Sequence, residues 1–487
     1  MIFNSLTFLL FLCVVIPLYW VLPRTAKLLL IFVAGVIFYG FWRFDFLAIL
    51  FLSIVFDFFS ALIIDGASSE RRRKTFLYLS VAFNLLLLGF FKYFYFAYGT
   101  VSQVAAFAGY HIDEPTLKII LPIGISFYTF HSMSYIIDVY RGFIKPVRNF
   151  LLFFDYVIFF PQLVAGPILR AGEMFWQLDR RPDFSWEHIR YGISRIAIGL
   201  FLKVCIADSI AFFTEEAFTM DVNALSAIDV LTMAFMFGFQ IYFDFSAYSH
   251  IAIGAARLMG IVFPENFNFP YHAVSPRVFW RRWHISLSSW IRDYVYLPMA
   301  GVKVHDRMST GGIGIDGTGQ AGARNAMFAL FATWAIMGLW HGAAWTFVIW
   351  GVWHASMVAG HRLITARWTV PDTYFWTVTG WGTTLVLAMV GWIPFRAPSM
   401  NYTLTAWSHL VDPARYMSLN LRETTYIVAA VTLLGMLVLP FAWRRLVNGA
   451  ERYPRAVMPV MMLGWTVMLT MVFIYLRPQN QFIYFQF

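Results

Sequence analysis

The sequence has little charge. Only 13% of its 487 residues are charged and 60% are hydrophobic, whereas soluble domains carry about 25% charged residues. So few charged side chains exclude an ordinary soluble fold and predict a polytopic membrane protein. The excess of 36 Lys and Arg over 26 Asp and Glu lies mostly in short loops that orient membrane spans, so it does not indicate a nucleic-acid partner.

The sequence is also poor in cysteine and in familiar catalytic motifs. Cys13 and Cys205 are the only two cysteines, and both lie in apolar runs. They suggest neither a disulfide framework nor a thiolate metal site, and an inert buried thiol is favoured over a catalytic one. There is no HExxH, CxxC or GxSxG motif, so no metal centre and no serine-hydrolase site is expected. The glycine-rich stretch 311–322 lacks the Lys-Ser/Thr end of a phosphate loop, and a flexible cytoplasmic loop is the favoured interpretation.

Long hydrophobic runs are abundant. Thirteen runs have about the length that a helix needs to cross a bilayer, and they predict an all-α protein with roughly eleven to thirteen transmembrane helices in a single integral-membrane domain, 1–487. Several runs are short enough to be re-entrant. The first run follows no basic residue and precedes no small-residue cleavage site, which predicts a membrane helix rather than a signal peptide. The runs are 6–22, 26–42, 46–64, 75–96, 119–139, 150–164, 193–213, 231–245, 325–339, 343–364, 375–393, 426–441 and 457–476.

Basic loops predict the orientation of these spans, because Lys and Arg are enriched on the cytoplasmic side. Basic residues follow the first and third runs and precede the last: Arg24, Lys27, Arg71–Lys74, Arg444, Arg445, Arg452 and Arg455. This distribution places the N-terminus and the C-terminal tail, with Tyr484, outside the cytoplasm. Both termini on one side require an even number of crossings.

Residues 280–294 predict an amphipathic helix. At 100° per residue, one face would carry Trp280, Trp283, Leu287, Trp290, Ile291 and Tyr294, and the other Arg281, Arg282, Ser286, Ser288, Ser289, Arg292 and Asp293. Such a helix suits a membrane interface or the wall of a polar cavity. His284 falls at the edge of the apolar face. An interfacial histidine bonded to a carbonyl explains this position as well as a functional one does.

A second histidine lies within an apolar run. If residues 334–348 are helical, Trp334, Gly338, His341, Trp345 and Val348 share a face. Gly338 and Gly342 form a small-xxx-small pair that permits close approach of a helix or a substrate. A helix-packing motif with an incidental histidine is therefore possible. However, a charged residue at the bilayer centre costs about 2.5–3.5 kcal/mol, which favours a functional His341.

Five other polar residues lie in apolar surroundings, and structural roles are expected for them: His131, Asp138, Gln240, Asp244 and His250. Asp138 with Arg141, and Asp244, are candidate ion partners at helix ends.

Several long motifs resemble the membrane-bound O-acyltransferase (MBOAT) family, in its bacterial alginate O-acetylation branch. The resemblance covers nearly the whole chain. Two departures are visible: the family often has FSGYSD where residues 245–250 read FSAYSH, and the 302–324 loop is long. The matching stretches are PIGISFYTFH (122–131), YIIDVYRG (135–142), PQLVAGPI (161–168), IYFDFS (241–246), NFNFP (266–270), FWRRWHISLS (279–288) and GLWHGAAW (338–345).

The resemblance implies a bundle around a through-membrane tunnel that narrows near a catalytic histidine. It implies that His341 is this catalytic histidine and that His284 is a second functional position. It also implies a C-terminal aromatic motif, 482–487, outside the cytoplasm, in which Tyr484 is the candidate acyl relay. The implied donor is acetyl-CoA or an acyl-carrier thioester, with no bound cofactor. The implied partner is a secreted or membrane-anchored hydrolase-like acyltransferase.

The expected function is an acetyltransferase in the bacterial inner membrane that serves O-acetylation of a cell-envelope polysaccharide. Alginate, cellulose, another exopolysaccharide and peptidoglycan are all compatible acceptors. Two alternatives of other classes stay open: a transporter of a lipid-linked sugar with the histidines as proton relays, and a non-catalytic scaffold for the secreted partner. Inverted repeats would favour the transporter, and none is evident in the sequence.

Overall fold

A computed structural model describes residues 1–164, 166–180, 182–302, 323–476 and 482, and this part of the chain is helical with no β-strand. Several short 3₁₀ turns and the π-helical segment Arg292–Tyr296 complete the chain path, and two further π-helical segments, Gly89–Tyr93 and Phe201–Ala207, lie within the long helices α4 and α9. The main helices are α1 Leu6–Val21, α2 Arg24–Gly40, α3 Leu47–Gly66, α4 Glu70–Phe107, α5 Ile125–Tyr140, α6 Phe150–Ile158, α7 Phe160–Leu163, α8 Ala171–Asp179, α9 Trp186–Thr219, α10 Ala227–Leu258, α11 Pro276–Arg282, α12 Ile285–Ile291, α13 Ala323–His341, α14 Trp345–Arg367, α15 Tyr374–Arg396, α16 Met400–Val411, α17 Glu423–Arg452 and α18 Pro454–Tyr475.

Polar residues fix where several of these helices begin. The Ser5 side chain accepts a hydrogen bond from the backbone N–H of Phe8 at the start of α1. Ser69 and Asn149 cap α4 and α6 in the same way. Each cap satisfies an N–H group that has no partner within the helix. Polar residues that precede apolar runs therefore mark the starts of these helices.

Seven helices in the described part of the chain are long and apolar enough to cross a membrane: α3, α4, α9, α10, α15, α17 as far as Gly449, and α18 from Val457. The prediction of an all-α polytopic membrane protein is confirmed. The other predicted runs also contain helices, such as α1 with 16 residues, but these are shorter or less apolar. The count of eleven to thirteen crossings stays a prediction.

Two predicted spans are not continuous helices. The run 150–164 is divided at Phe159 into α6 and α7, because Pro161 lacks an N–H group and is suited to the first turn of a new helix. The run 119–139 becomes helical only at Ile125, after Gly124 with φ of +76°. A Cβ at Gly124 would lie 2.4 Å from the carbonyl oxygen of Leu163, so only glycine fits this turn.

The contacts divide the chain into two compact units that alternate along the sequence. Unit 1 comprises Met1–Ser194, Ala252–Glu265 and the segment from Ser289, described as far as Val302. Unit 2 comprises Arg195–Ile251, Asn266–Ser288 and the described residues from α13 to the C-terminus. The prediction of a single integral-membrane domain is not tested by this division.

The interiors of the two units differ in their polar content. In unit 1, the buried Asp57 carboxylate of α3 accepts hydrogen bonds from Ser80 (2.6 Å) and Asn84 (3.0 Å) of α4. This network ties two helices together through a polar cluster, as buried carboxylates require hydrogen-bond partners. In unit 2, the interior around α11, α13, α14 and α15 consists largely of indole rings: Trp280, Trp283, Trp334, Trp350 and Trp392.

Candidate active site

His341 is the last residue of α13 in a tight helical hairpin with α14. The helices approach so closely that a Cβ at Gly338 would lie 2.1 Å from the carbonyl oxygen of Phe347. A Cβ at Gly351 would lie 2.1 Å from the carbonyl oxygen of Trp334. The small residues therefore serve helix packing, as one of the two sequence interpretations held, and this packing fixes the helix end that carries His341.

The end of α13 corrects one prediction. Residues 334–348 do not form one helix, because α13 ends at His341 and α14 begins at Trp345. His341 is 4% exposed, whereas Trp345 is 52% exposed. The two therefore do not share a buried face. The break lies at 342–344, where the chain reverses direction between the packed helices.

The ring of His341 lies among aromatic side chains. Its centroid is 4.9 Å from Trp340, 4.9 Å from Trp350 and 5.2 Å from Phe395. Such surroundings limit the access of water to the ring. A neutral imidazole is the form that can accept a proton from a hydroxyl group.

His284 lies in a break between α11 and α12, which corrects the prediction of a single helix over 280–294. Its φ is +41°, in the left-handed region that residues other than glycine seldom adopt. All six residues of the predicted apolar face are buried, but Ser286 and Asp293 of the predicted polar face are buried as well. The segment is therefore packed in the protein rather than spread along a membrane surface, and His284 itself is 1% exposed.

The physical reason for the break is Asn266. Its carbonyl oxygen accepts from the Ile285 N–H at 2.9 Å. Its side-chain Oδ1 accepts from the Ser286 N–H at 3.3 Å and from the Ser286 hydroxyl at 2.9 Å. A backbone that turns to make these bonds cannot continue the helix. Helical periodicity carries no information about such a distant partner.

Asn266 also determines which nitrogen of His284 carries the proton. Nδ1 of His284 lies 3.1 Å from Oδ1 of Asn266. Because the Ser286 N–H can only donate, the Asn266 atom facing it must be the oxygen, and Nδ1 must be the donor. Nε2 of the neutral ring then carries the lone pair. Nε2 is buried and has no hydrogen-bond partner within the described part of the chain.

Trp340 connects the two histidines within unit 2. Its ring centroid is 4.9 Å from that of His341 and 6.5 Å from that of His284. The two predicted site residues, 57 positions apart in sequence, are thus brought to the same indole ring. No described group of three or more His, Cys, Asp or Glu could hold a metal ion.

One residue of the C-terminal aromatic motif also lies in this region. Phe482 is 0% exposed. Its ring packs 5.7 Å from Phe245 and 4.2 Å from Tyr248. Phe245 in turn packs edge-on against His284 at 4.5 Å. Phe482 is therefore buried in unit 2 rather than placed at a membrane interface, while Tyr484 lies outside the described residues.

The sequence profile of the membrane-bound O-acyltransferase family matches residues 139–313 and 316–403. A probable alginate O-acetylase, AlgI, of Pseudomonas putida is 34% identical and covers 100% of both chains. The chain belongs to the membrane-bound O-acyltransferase family.

Other relatives of this MBOAT are named for different acceptors. A peptidoglycan O-acetyltransferase of Helicobacter pylori is 33% identical over 80% of this chain and 74% of its own length. A teichoic acid D-alanyltransferase of Bacillus subtilis is 30% identical over 57% of this chain and 67% of its own length. The family confirms the prediction of an acyltransferase enzyme.

Sequence reasoning missed two residues of this MBOAT site. Asn266 begins the quoted NFNFP motif, but nothing in the motif reveals its contact with His284. His354 of α14 is 0% exposed, and its ring lies 4.9 Å from both Trp280 and Trp350. His354 lies inside the apolar run 343–364, where a charged side chain would be costly. The argument that identified His341 could therefore have identified His354 as well.

The remaining polar predictions have mixed outcomes. Asp138 accepts a hydrogen bond from the Tyr294 hydroxyl at 2.9 Å. Asp244 forms a buried ion pair with Lys203 at 2.8 Å. Asp244 lies in the middle of α10 rather than at a helix end, so that part of the prediction is wrong. The glycine-rich stretch 311–322 lies outside the described residues.

Proposed function

We propose that the chain transfers an acetyl group from a cytoplasmic thioester to the outer side of the bacterial inner membrane, for O-acetylation of a cell-envelope polysaccharide. The observation that carries this proposal is the pair of buried histidines on the single indole ring of Trp340, one of them with a fixed lone pair on Nε2. The named relatives act on alginate, peptidoglycan and teichoic acid, which are polymers of the cell envelope. An exopolysaccharide such as alginate is the acceptor that the full-length relative favours.

In this mechanism His341 is the general base. It removes the proton from the attacking hydroxyl as the oxygen forms a bond to the thioester carbonyl carbon. The carbon–sulfur bond then breaks, and the proton passes from His341 to the leaving thiolate. Atoms and protons balance, since one ester and one thiol replace one hydroxyl and one thioester. The aromatic walls around His341 keep water from competing as the nucleophile.

Two roles are compatible with His284 as the second functional position, binding the thioester carbonyl or positioning the base, and its geometry favours the second. A neutral ring whose Nδ1 donates to Asn266 can only accept at Nε2. It therefore cannot donate a hydrogen bond to the thioester carbonyl in this state. It can accept one from the attacking hydroxyl or from a ring N–H of His341. We assign His284 to positioning the base or the nucleophile.

Tyr484 is the proposed acyl relay. A thioester releases a thiolate with a pKa of about 8.5, and an aryl ester releases a phenolate with a pKa of about 10. Transfer to a phenol therefore keeps much of the acyl-transfer potential for a secreted or membrane-anchored partner, which completes the transfer to the polymer. Burial of Phe482, two positions before Tyr484, beside the His284 neighbour Phe245 supports this proposal.

The test is incubation of the purified protein with labelled acetyl-CoA. The expected result is release of CoA and an acetyl group on the C-terminal peptide, detected by mass spectrometry. Tyr484→Phe keeps the ring and removes the oxygen, so it should remain folded and carry no label on this peptide. Tyr475→Phe, at a partly exposed position of α18, is the matched control.

Two outcomes would contradict the proposal. A wild-type protein that releases no CoA in the presence of its partner would be a scaffold or a transporter. Full polymer acetylation by Tyr484→Phe in cells would exclude the relay and leave the tail as a docking segment. Both termini are proposed to lie in the periplasm, which labelling of single cysteines placed at each terminus would check.

A further inference from the structure

The indole ring of Trp350 lies between two histidine rings in the interior of unit 2. Trp350 is 0% exposed. Its ring centroid is 4.9 Å from that of His341 and 4.9 Å from that of His354, which follows it in α14. The next residue, Gly351, packs so closely on α13 that a Cβ there would lie 2.1 Å from the Trp334 carbonyl oxygen. Backbone packing therefore fixes the position of Trp350 beside the proposed base.

The N–H group of the Trp350 ring is buried and has no hydrogen-bond acceptor in the described part of the chain. Among the described residues there is none for the N–H groups of Trp280 and Trp392 either, and these rings lie 5.8 Å and 6.0 Å from that of Trp350. Trp353, one residue before His354, differs, because its N–H donates to the Leu387 carbonyl oxygen at 2.9 Å. A buried N–H without an acceptor is destabilising, so three of them on neighbouring rings indicate a common function.

His354 adds one donor and one acceptor to this set of rings. Both of its ring nitrogens are buried, and neither has a hydrogen-bond partner among the residues that the structure describes. Its ring lies 4.9 Å from that of Trp280 and 6.1 Å from that of Trp392. A neutral imidazole donates through one nitrogen and accepts at the other, whereas an indole only donates. The four rings together therefore carry four donors and a single acceptor.

This excess of donors indicates which kind of group the rings can bind. A water molecule accepts two hydrogen bonds but brings two donors of its own, so the excess would remain. A hydroxyl group also brings a donor. A carbonyl oxygen has two lone pairs and brings no donor. The set is therefore better suited to a carbonyl oxygen than to water or an alcohol.

The proposed reaction requires a hydrogen-bond donor of this kind. When the hydroxyl attacks the thioester, negative charge develops on the carbonyl oxygen, and N–H groups held in place in a water-poor site stabilise this charge. His284 cannot supply the donor, because its Nδ1 proton is held by Asn266 and its Nε2 carries a lone pair. His341 acts as the base. Trp350, whose ring contacts that of His341, is the member of the set that is placed to bind the reacting carbonyl.

We propose that the indole N–H of Trp350 binds the carbonyl oxygen of the acyl group and stabilises the oxyanion that forms during transfer. The oxygen gains negative charge as the new carbon–oxygen bond forms and loses it as the carbon–sulfur bond breaks. The indole keeps its proton throughout, so the transferred proton still passes from the hydroxyl through His341 to the leaving thiolate. The proposal rests on the proposed function, because it concerns the same transfer.

The first test compares two variants of the purified full-length chain. Trp350→Phe removes the N–H group and keeps an aromatic ring, and Trp353→Phe does the same at an indole that has an acceptor within the protein. We expect Trp350→Phe to lower kcat for CoA release from acetyl-CoA by about 10²–10³, with a nearly unchanged KM. Trp353→Phe should lower the melting temperature, because it leaves the Leu387 carbonyl without its donor, and keep most of its rate.

A change of acyl donor separates a catalytic role from a structural one. The dithioester analogue of acetyl-CoA has sulfur in place of the carbonyl oxygen, and sulfur is a weak hydrogen-bond acceptor. Replacement of acetyl-CoA by this analogue should therefore slow the wild type much more than it slows Trp350→Phe. If the Trp350 ring only supported His341, the variant would lose the same factor with both donors.

A second replacement serves if thermal unfolding shows that Trp350→Phe is not folded. Incorporation of β-(3-benzothienyl)alanine at Trp350 keeps two fused rings and has sulfur in place of the N–H group, and we expect the same loss in kcat. A folded variant with a kcat near that of wild type, or with the wild-type ratio of rates for the two donors, overturns the assignment of Trp350. A wild type that releases no CoA in the presence of its partner overturns the proposed function itself, so the wild-type rate distinguishes the two failures.

Discussion

His341 and His284, the two histidines of the candidate site, are held in opposite ways. His341 ends a regular helix, and the position of this helix is fixed by close backbone contact with α14 at Gly338 and Gly351. His284 lies where a helix is interrupted, with a left-handed backbone and a side chain fixed by Asn266. Backbone packing holds His341 in place, and a polar network holds His284. Different substitutions should therefore damage them.

The left-handed conformation has an energetic consequence. A non-glycine residue in this region costs on the order of 1–3 kcal/mol. Around His284 the cost is offset by hydrogen bonds, among them the Ile285 N–H to the Asn266 carbonyl and the Asn268 N–H to the Arg282 carbonyl, both 2.9 Å. The strain persists because the surrounding contacts allow no other chain path. At His341 no comparable strain has to be stabilised.

The largest expected effect is that of His341→Ala. Loss of the general base should lower the rate of acetyl transfer by about 10²–10⁴, while the helical hairpin remains intact. The transfer rate of the purified variant tests the loss of activity, and its thermal unfolding tests whether the hairpin remains intact. His111→Ala, with an 88% exposed side chain, is the control. A transfer rate near that of wild type would show that His341 serves packing and not catalysis.

The second prediction compares replacements at both sites. His284→Ala and His284→Gly should each lose about 10²-fold or more in transfer rate, since neither supplies Nε2. However, His284→Gly should be more stable than His284→Ala by about 1 kcal/mol, because glycine tolerates a positive φ. In α13 the order should reverse, with His341→Ala more stable than His341→Gly. Thermal unfolding of the four variants checks this, and a His284→Ala variant more stable than His284→Gly would refute the left-handed backbone.

The third prediction disturbs the hairpin without touching a histidine. Gly351→Ala brings a Cβ to 2.1 Å from the Trp334 carbonyl oxygen, so the helices must separate. We expect a loss of about 1–3 kcal/mol in stability, together with lower activity. Gly360→Ala in the same helix meets no atom within 4 Å and should be neutral or slightly stabilising. Equal melting temperatures for the two variants would contradict the close approach of α13 and α14.

The smallest expected effect is that of Asn266→Ala. The proton of His284 would no longer be held on Nδ1, and we expect a fall of about tenfold in transfer rate, or about 1.4 kcal/mol. Asn266→Asp keeps an acceptor for Nδ1 and should restore most of the rate. Asn268→Ala, at an exposed position, is the control. If Asn266→Asp were as impaired as Asn266→Ala, the hydrogen bond would not be what matters at this position.

The sequence predicted the parts of this molecule that depend on local pattern. Apolar runs located the helices, and the cost of a polar group in an apolar run identified His341. The break at His284 could not be predicted, because it depends on hydrogen bonds to Asn266, 18 residues away. Periodicity assumed a continuous helix over 280–294 and therefore misplaced Ser286 and Asp293.

The packing of indole rings against the imidazoles gives the enzyme an internal optical probe. Protonated imidazole quenches the fluorescence of a neighbouring indole, and the Trp340 and Trp350 rings both lie 4.9 Å from His341. Each turnover that places a proton on the His341 imidazole should therefore lower the tryptophan fluorescence by a small fraction. Because the chain has 19 tryptophans, subtraction of the Trp340→Phe trace would isolate the part of this signal that comes from Trp340. Stopped-flow fluorescence could then follow proton transfer in unlabelled protein.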